Sequence, residues 1–358
     1  EVDTLLADPT KAREELGWVS QTTFSELVVM MVEADLEAQE RISGVRRGAA
    51  GTLVGGLLAA FFVAIFPGNI AQYVEHKDAF GLDTDTKRLV RLFFQPAEEV
   101  MPGGALRLIG LGLLDGVDRV FALHCDPGVD VGQVGLRLGP MTSAADQVDV
   151  RFEGAGGHTS RPHLTADLTF ALAKVTTELP AILSRRFDPR SGVSVVWGRI
   201  EAGSAPNVIP ERGLLSGTVR ILDAAAWADA EKMVREMVHE IVRPYGVTAH
   251  VDYVRGVPPV VNEAVSHKLL GDAVASVLGP DGRVLAPQSL GGEDFGWYVD
   301  EVPGAMMRLG TRTPGGATYD LHQGDLRVDE RAITIGARLL AEVALRAQTV
   351  GKRGSRQG

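Results

Sequence analysis

The spacing of apolar residues divides the chain into segments of different character. Asp8 and Pro9 suit the N-cap and first turn of a helix, and apolar residues at helical spacing predict a second helix over 20–40. Residues 49–66 then contain no charged residue over 18 positions, which is the lower limit for a membrane span. A buried helix explains this run equally well, so both interpretations stay open.

From residue 89 onward the pattern is that of alternating strands and helices. The first predicted elements are a strand over 90–94, a helix over 104–113 and a strand over 119–124. The next block predicts strand 147–153, helix 164–178, strands 193–200 and 213–222, helix 224–242 and strand 248–253. This β-α-β-β-α-β order is typical of a ferredoxin-like sandwich. We therefore predict an α/β protein in which such a sandwich is inserted into a larger domain that resumes near 255, with a helix over 263–278, a strand over 305–309 and a helix over 329–347.

Composition narrows the classes of function. The 358 residues carry 36 Lys and Arg against 46 Asp and Glu, a formal net charge of -10, with no basic block. Nucleic-acid binding is therefore disfavoured, because phosphate contacts need clustered basic residues. The single cysteine excludes an internal disulfide framework and predicts a reducing, cytoplasmic location.

Residues that could catalyse a reaction or bind a ligand lie where predicted strands and helices end. Glu98 and Glu99 follow a strand directly, and adjacent carboxylates repel unless a cation or a proton lies between them. His124 ends the next strand, whereas Cys125 points to the opposite face and is not counted as a ligand. Further candidates are the glycine-rich loop 154–163 and the acidic pair Glu293–Asp294. Each of these candidates can also serve a purely structural purpose. The glycine-rich loop, in addition, lacks the Lys-Ser/Thr ending of a phosphate-binding P-loop.

The motifs occur in a characteristic order. They are Phe94-Gln95-Pro96-Ala97-Glu98-Glu99, Leu123-His124, Gly156-Gly157-His158, Ala205-Pro206-Asn207-Val208-Ile209-Pro210, Gly217-Thr218-Val219-Arg220, Gly292-Glu293-Asp294-Phe295 and Leu321-His322. Over about residues 93–348 this set resembles the zinc-dependent amidohydrolase family of aminoacylases, hippurate hydrolases and auxin-conjugate hydrolases, which also contains metallo-carboxypeptidases. The resemblance implies a catalytic α/β domain interrupted by a ferredoxin-like lid, through which two copies of the chain dimerise.

The resemblance also implies roles for individual residues. Glu98 matches the general base, which accepts a proton from the attacking water and later passes it to the leaving amine. Glu99, His124 and His322 match metal ligands, for zinc in the first place and for manganese, cobalt or nickel as alternatives. His158 matches the lid histidine that reaches a partner subunit's site and steadies the oxyanion. Asn207 and Arg220 match lid residues that hold the carboxylate of an N-acyl amino acid or peptide substrate.

The upstream region departs from this family. Its first metal-binding segment has no counterpart, and His76 and Asp78 lie too close to Glu98 to replace it, so we expect weak metal binding and impaired turnover. Residues 1–37 resemble the carboxyl-terminal end of GDP-mannose 4,6-dehydratases, and about 51–95 resemble the end of a DoxX-like membrane protein. The chain is thus interpreted as a mosaic of three gene ends. Its predicted divisions are 1–42 (helical and foreign to the hydrolase), 43–92 (apolar), 93–141 (first catalytic segment), 142–254 (lid), 255–348 (second catalytic segment) and 349–358 (disordered tail).

Two alternatives to an active hydrolase stay open. The first is a catalytically inactive remnant that dimerises through the lid. The second is a protein tethered to a membrane through 49–70.

Overall fold

A computed structural model describes residues 90–93, 95–99 and 102–354. The predicted segments 1–42 and 49–70, as well as His76 and Asp78, lie outside these ranges. Within them, no helix combines the length and the apolar character needed to cross a bilayer.

The first sheet has four strands: β1 (Val120–Asp130), β2 (Val134–Leu136), β11 (Arg283–Leu285) and β12 (Gly304–Arg312). Their order in the sheet is β1-β12-β2-β11, with β1 parallel to β12. Its helices are α1 (Ala105–Gly110), α4 (Ala264–Leu278), α5 (Phe295–Glu301) and α6 (Arg331–Gly354). Alternation along β12 buries Met307 and Leu309 against α4 and α6, whereas Met306 packs on the opposite face with residues of α1 and α5. The sheet therefore has a helical layer on each face.

The second sheet is antiparallel, in the order β6-β8-β4-β9. Its strands are β4 (Ala144–Glu153), β6 (Ser194–Ala202), β8 (Arg212–Ile221) and β9 (Thr248–Val257), with helices α2 (Leu168–Arg186) and α3 (Ala224–Val242). Val148, Val150 and Phe152 alternate with exposed residues along β4 and form one core with both helices. This strand order and the two helices are those of the ferredoxin-like sandwich. Short pairs complete the fold: β3 (Gly139–Pro140) with β10 (Val261–Asn262), and β5 (Gly157–His158) with β7 (Val208–Ile209).

Most elements differ from the sequence prediction by a few residues at their ends, and the largest differences concern three segments. Residues 90–93 belong to no strand in the described structure, because Val90 and Leu92 instead pack on α6 while Phe93 packs beside Tyr298. Helix α2 continues through Pro180 to Arg186, since Leu179 and Leu183 are buried against the sheet and this packing outweighs one lost backbone hydrogen bond. Helix α6 runs to Gly354 rather than Ala347.

The sandwich contacts the first sheet's helices through aromatic rings. Trp227 of α3 and Trp297 of α5 meet edge to face, with 5.8 Å between ring centroids. Trp227 also donates its Nε1–H to the buried carboxylate of Asp146, which accepts further hydrogen bonds from Tyr253 and the backbone of Gly256. A buried polar network thus links the start of β4 to the place where the two halves meet.

Candidate active site

Glu98 and Glu99 lie in a turn that is tied to helix α5. The Gln95 amide donates to Asp294 Oδ2 at 2.5 Å, and Tyr298 donates its hydroxyl hydrogen to Gln95 Oε1 at 2.7 Å. The same Asp294 oxygen accepts the backbone N–H of Ala105 at 3.2 Å, at the start of α1. The chain on both sides of the two glutamates is therefore fixed by the Asp294 carboxylate.

Glycine is required at one position of this network. Gly103 has a φ of +87°, and a Cβ atom there would lie 2.0 Å from Asp294 Oδ2. Any side chain at this position would therefore push the carboxylate away from the turn that it holds.

Of the residues that match metal ligands by resemblance, Glu99 and His322 are in contact, and His124 lies within electrostatic reach of His322. Glu99 Oε2 is 3.6 Å from His322 Nδ1, and the charges of His124 and His322 interact. His124 Nδ1 donates to the backbone carbonyl of Cys125 at 2.7 Å, so the Nε2 lone pair of the neutral ring is free. Ligating histidines commonly make this hydrogen bond, because it fixes the tautomer and the ring orientation. Burial, followed by the charge of Arg308, lowers the pKa of His124, and this favours the neutral imidazole that a metal requires. The chemistry of these three donors suits a divalent ion, but among the described residues the donor atoms that all lie within 4.8 Å of one another are those of Glu98, Glu293 and Asp294.

The backbone is strained at two positions next to or within this group of candidate residues. Within the described ranges, the non-glycine residues with positive φ are Ala97 at 60° and His322 at 62°. Such conformations cost free energy and persist only where the surroundings impose them. One directly precedes the candidate base and the other is a candidate ligand, so the strain coincides with the site.

The carboxyl groups of the site are crowded. Donor oxygens of Glu98, Glu293 and Asp294 all lie within 4.8 Å of one another. Glu98 is exposed as a whole residue, yet partial loss of water around its carboxyl group is the main cause that raises its pKa to about 8, and Glu293, Glu99 and Asp294 add to it by repulsion. Burial likewise raises the pKa of Glu293 to about 7. Without a bound cation, these carboxyl groups therefore hold protons near neutral pH, which is where a general base needs to titrate.

A cavity of about 210 Å³ opens above these groups, between the first sheet and the sandwich. Glu98, Glu99 and Glu293 line it from one side, and Asp146 and Arg220 line it from the sandwich. Arg220 Nη1 donates to the backbone carbonyl of Leu290 at 3.0 Å, which places its guanidinium at the cavity rim. The predicted base and the predicted carboxylate-binding arginine thus share one cavity.

His158 and Asn207 are exposed and do not line this cavity. They lie side by side, since β5 pairs with β7 and Thr159 N–H donates to the Asn207 carbonyl. The Ser160 N–H donates to His158 Nδ1 at 3.1 Å, so the neutral ring carries its proton on Nε2. His158 thus presents an N–H donor to solvent rather than to the cavity of its own chain.

The sequence motifs do not reveal three residues of the site. Gln95 lies inside a motif whose glutamates are the candidates, although its own amide makes the contact to Asp294. Asp146 directly precedes the predicted strand 147–153, and a carboxylate immediately before a half-buried strand is an available signal. Arg308 is the one charged residue in the otherwise apolar segment 305–309, which is an equally readable signal.

Comparisons with known proteins agree with this geometry. The profile of peptidase family M20/M25/M40 matches residues 69–346. A protein from Rhodococcus jostii named as a glutamate–cysteine ligase is 48% identical over 251 residues, which are 70% of this chain and 32% of that protein. The N-acetyl-L-cysteine deacetylase of Bacillus subtilis is 34% identical over 261 residues, covering 73% of this chain and 61% of the deacetylase.

Among solved structures, a Bacillus subtilis protein described as a dinuclear-metal-binding peptidase of family M20 superposes with a TM-score of 0.59 at 29% identity. The superposition covers 71% of this chain and 64% of that protein. The chain thus spans between about one third and two thirds of the length of these three relatives. The profile match covers well over half of the chain and includes the Glu98–Glu99 turn, the cavity and His322. The chain therefore belongs to peptidase family M20/M25/M40.

Proposed function

We propose that the chain hydrolyses amide bonds in N-acyl amino acids or small peptides, with a divalent metal held by Glu99, His124 and His322. The observation that supports this proposal is that Glu98 and Glu99 line one cavity with Arg220, while His322 Nδ1 lies 3.6 Å from Glu99 Oε2. The deacetylase activity named for the Bacillus subtilis relative supports the substrate class. Zinc is the ion that we expect, since imidazole and carboxylate donors suit it.

The chain's own residues divide the chemistry between them. Glu98 accepts a proton from the attacking water and delivers it to the leaving nitrogen. Arg220 is placed to hold a carboxylate of the substrate, because its planar fork matches that group. Tyr298, Gln95 and Asp294 keep the Glu98–Glu99 turn in position. When bound, a divalent ion supplies the Lewis acidity that polarises the scissile carbonyl.

The test is zinc analysis of the purified protein combined with hydrolysis of N-acetyl amino acids. Near-stoichiometric zinc and turnover that a chelator abolishes would support the proposal. Little zinc and no turnover would favour the catalytically inactive, dimerising remnant expected from the missing upstream segment. Recovery of the protein without detergent would count against tethering through 49–70, and a cytoplasmic location stays a prediction.

We further infer that two copies pair through the sandwich, the segment that we propose as a lid over 142–254 between the catalytic segments 93–141 and 255–348. The edge strand β6 exposes Val196 and Ile200, with 62% and 54% of each residue accessible. His158 and Asn207 lie away from the cavity of their own chain, as expected if they serve the partner's site. Light scattering on the purified protein tests this inference, and a monomer at micromolar concentration would contradict it.

The upstream resemblances support a separate proposal, that the chain joins three gene ends. The motifs over 1–37 and 51–95 carry it, whereas the family profile begins at residue 69 rather than 93 and so counts against a foreign origin for 69–92. A long DNA read across the codons for Glu40–Gly51 and Leu89–Glu99 tests it. A break at either junction would restore an ordinary amidohydrolase with a His- and Asp-rich metal segment. Continuity through both junctions would establish the mosaic as a real product.

A further inference from the structure

Arg308 is a buried charged residue that the proposed chemistry does not use. It lies on β12, where only 9% of the residue is accessible. Its neighbours Met307 and Leu309 face α4 and α6, so alternation turns Arg308 to the opposite face, beside Met306. The candidate site lies on that same face.

The guanidinium has no partner among the residues that the structure describes. It makes neither a hydrogen bond nor an ion pair with any of them, whereas the buried carboxylates of Asp146 and Asp294 each accept several hydrogen bonds. Glu98 and Glu293 lie within electrostatic reach of this charge, but neither forms a hydrogen bond or ion pair with the guanidinium, so its N–H donors can bind an anionic ligand. Its nitrogens are not among the fully enclosed unpaired atoms of the described ranges, so they keep some access to solvent, although Arg308 does not itself line the cavity.

The position of Arg308 connects it to the reacting groups. In the β1–β12 register it lies directly opposite His124, a candidate metal ligand. On the other side it is paired with Gly135, where a Cβ atom would come within 3.2 Å of the Arg308 Cβ. The glycine therefore leaves room for the arginine side chain. The positive charge also acts on Glu98, Glu293 and His124, lowering the pKa of each, which places it within electrostatic reach of the base.

We propose that Arg308 binds the oxygen of the scissile carbonyl as it becomes negative, and then the acyl carboxylate that is released. This inference rests on the proposed function. As water attacks, a new C–O bond forms and the carbonyl π electrons move onto oxygen, while Glu98 takes one proton from the water. The C–N bond then breaks, that proton passes to the amine, and the acid loses the second proton of the water to solvent, which leaves the acyl carboxylate. The guanidinium stays protonated throughout and donates hydrogen bonds, singly to the oxyanion and in a fork to the carboxylate.

The acyl side is the expected source of this carboxylate. Arg220 lies on the sandwich wall of the cavity and Arg308 lies on the sheet. The two arginines would therefore hold opposite ends of one substrate. Arg220 would take the carboxylate of the amino acid, and Arg308 the group next to the scissile bond.

The test compares Arg308→Met and Arg308→Lys with Arg312→Met as a matched control. Arg312 lies on the same strand, but its guanidinium contacts Asp130 at 2.6 Å and Thr318 at 3.0 Å. For zinc-loaded protein we measure kcat and KM on N-acetylalanine, and the binding of acetate and of alanine by calorimetry. For Arg308→Met we expect kcat to fall about 10²- to 10³-fold with a smaller change in KM, and acetate affinity to fall about tenfold or more, with alanine binding unchanged. For Arg308→Lys, kcat and acetate affinity should lie between those of Arg308→Met and the parent protein. For Arg312→Met, both should match the parent protein.

Several outcomes would overturn the inference. If Arg308→Met keeps the kcat and the acetate affinity of the parent protein, Arg308 does not bind the oxyanion or the acyl carboxylate. If it instead weakens alanine binding, Arg308 contacts the amino-acid part of the substrate. If the parent protein binds zinc but does not turn over, the proposed function fails, and acetate affinity alone still decides the role of Arg308. If Arg308→Met does not fold, Arg308→Lys decides the question, because it keeps the charge and loses the fork.

Discussion

Replacing Asp146 by alanine is expected to destabilise the protein strongly. The residue is 1% accessible, and its Oδ2 accepts the Trp227 indole N–H at 2.9 Å and the Tyr253 hydroxyl at 2.6 Å. Its Oδ1 accepts the Gly256 N–H at 2.9 Å. The substitution leaves three buried donors, two on strand β9 and one on helix α3, without an acceptor.

The size of the effect follows from these three contacts. A hydrogen bond to a charged group contributes about 1.5–3 kcal/mol, so full loss of all three sets an upper bound of roughly 5–9 kcal/mol. Asp146 also lines the cavity, so water entering the gap will satisfy some of the exposed donors. We therefore expect a net loss of about 3–4 kcal/mol in the free energy of unfolding. Asp146→Asn should cost about 1–2 kcal/mol, because the amide keeps the size and one acceptor oxygen.

The assay is urea unfolding of the full chain, followed by far-UV circular dichroism and extrapolated to water. Asp149→Ala is the control, since Asp149 lies on the same strand but is exposed, and it should change stability by less than about 0.5 kcal/mol. Tyr253→Phe should cost about 1 kcal/mol alone and close to nothing when combined with Asp146→Ala. The reasoning is refuted if Asp146→Ala behaves like the control, or if the two substitutions simply add.

Four further predictions concern the site itself. Glu98→Gln should lower kcat by about 10²- to 10⁴-fold at unchanged zinc content, because Glu98 moves protons and is not a ligand; loss of zinc would contradict this. His322→Asn should weaken zinc binding at least about tenfold in a chelator competition, and unchanged affinity would remove His322 from the ligand set. In chelator-treated protein, the pKa values of Glu98 and Glu293, raised to about 8 and about 7, mean that the folded state binds protons more tightly than the unfolded state. Thermal stability should therefore fall as pH rises from 5 to 8, and Glu293→Gln should flatten the slope; a rise with pH would contradict the assignment. Gly103→Ala should cost about 1–3 kcal/mol and weaken zinc binding through the displaced Asp294, which thermal melts and the same competition would measure.

Local signals account for what the sequence predicts well. Helix α3 has the bounds that the sequence predicts, Ala224–Val242, because Asp223 is an N-cap that accepts the Ala226 N–H and Pro244 limits its end. The order of strands and helices in the sandwich follows from periodicity alone. The motif positions Glu98, Glu99 and Arg220 do line one cavity, as expected for residues of a single site.

The features that escape prediction depend on contacts distant in sequence. Gln95 and Asp294 are 199 positions apart, and Asp146 and Gly256 are 110 apart. Residues 90–93 have the apolar pattern of a strand, yet they pack on side chains of α6 and α5 without joining the described sheet. Hydrophobic patterning shows that a residue is buried, but not which polar partner it meets or which edge it pairs with.

The edge-to-face pair of Trp227 and Trp297 makes the intrinsic fluorescence of the protein sensitive to the contact between the sandwich and α5. One ring belongs to the sandwich and the other to the helix that begins after Asp294. Indole emission depends on the neighbouring ring and on access to water, so rotation of the sandwich about its connections to the first sheet would separate the rings and change the signal. Substrate-driven closure could thus be followed by stopped-flow fluorescence without a label, with Trp297→Phe as the silent reference.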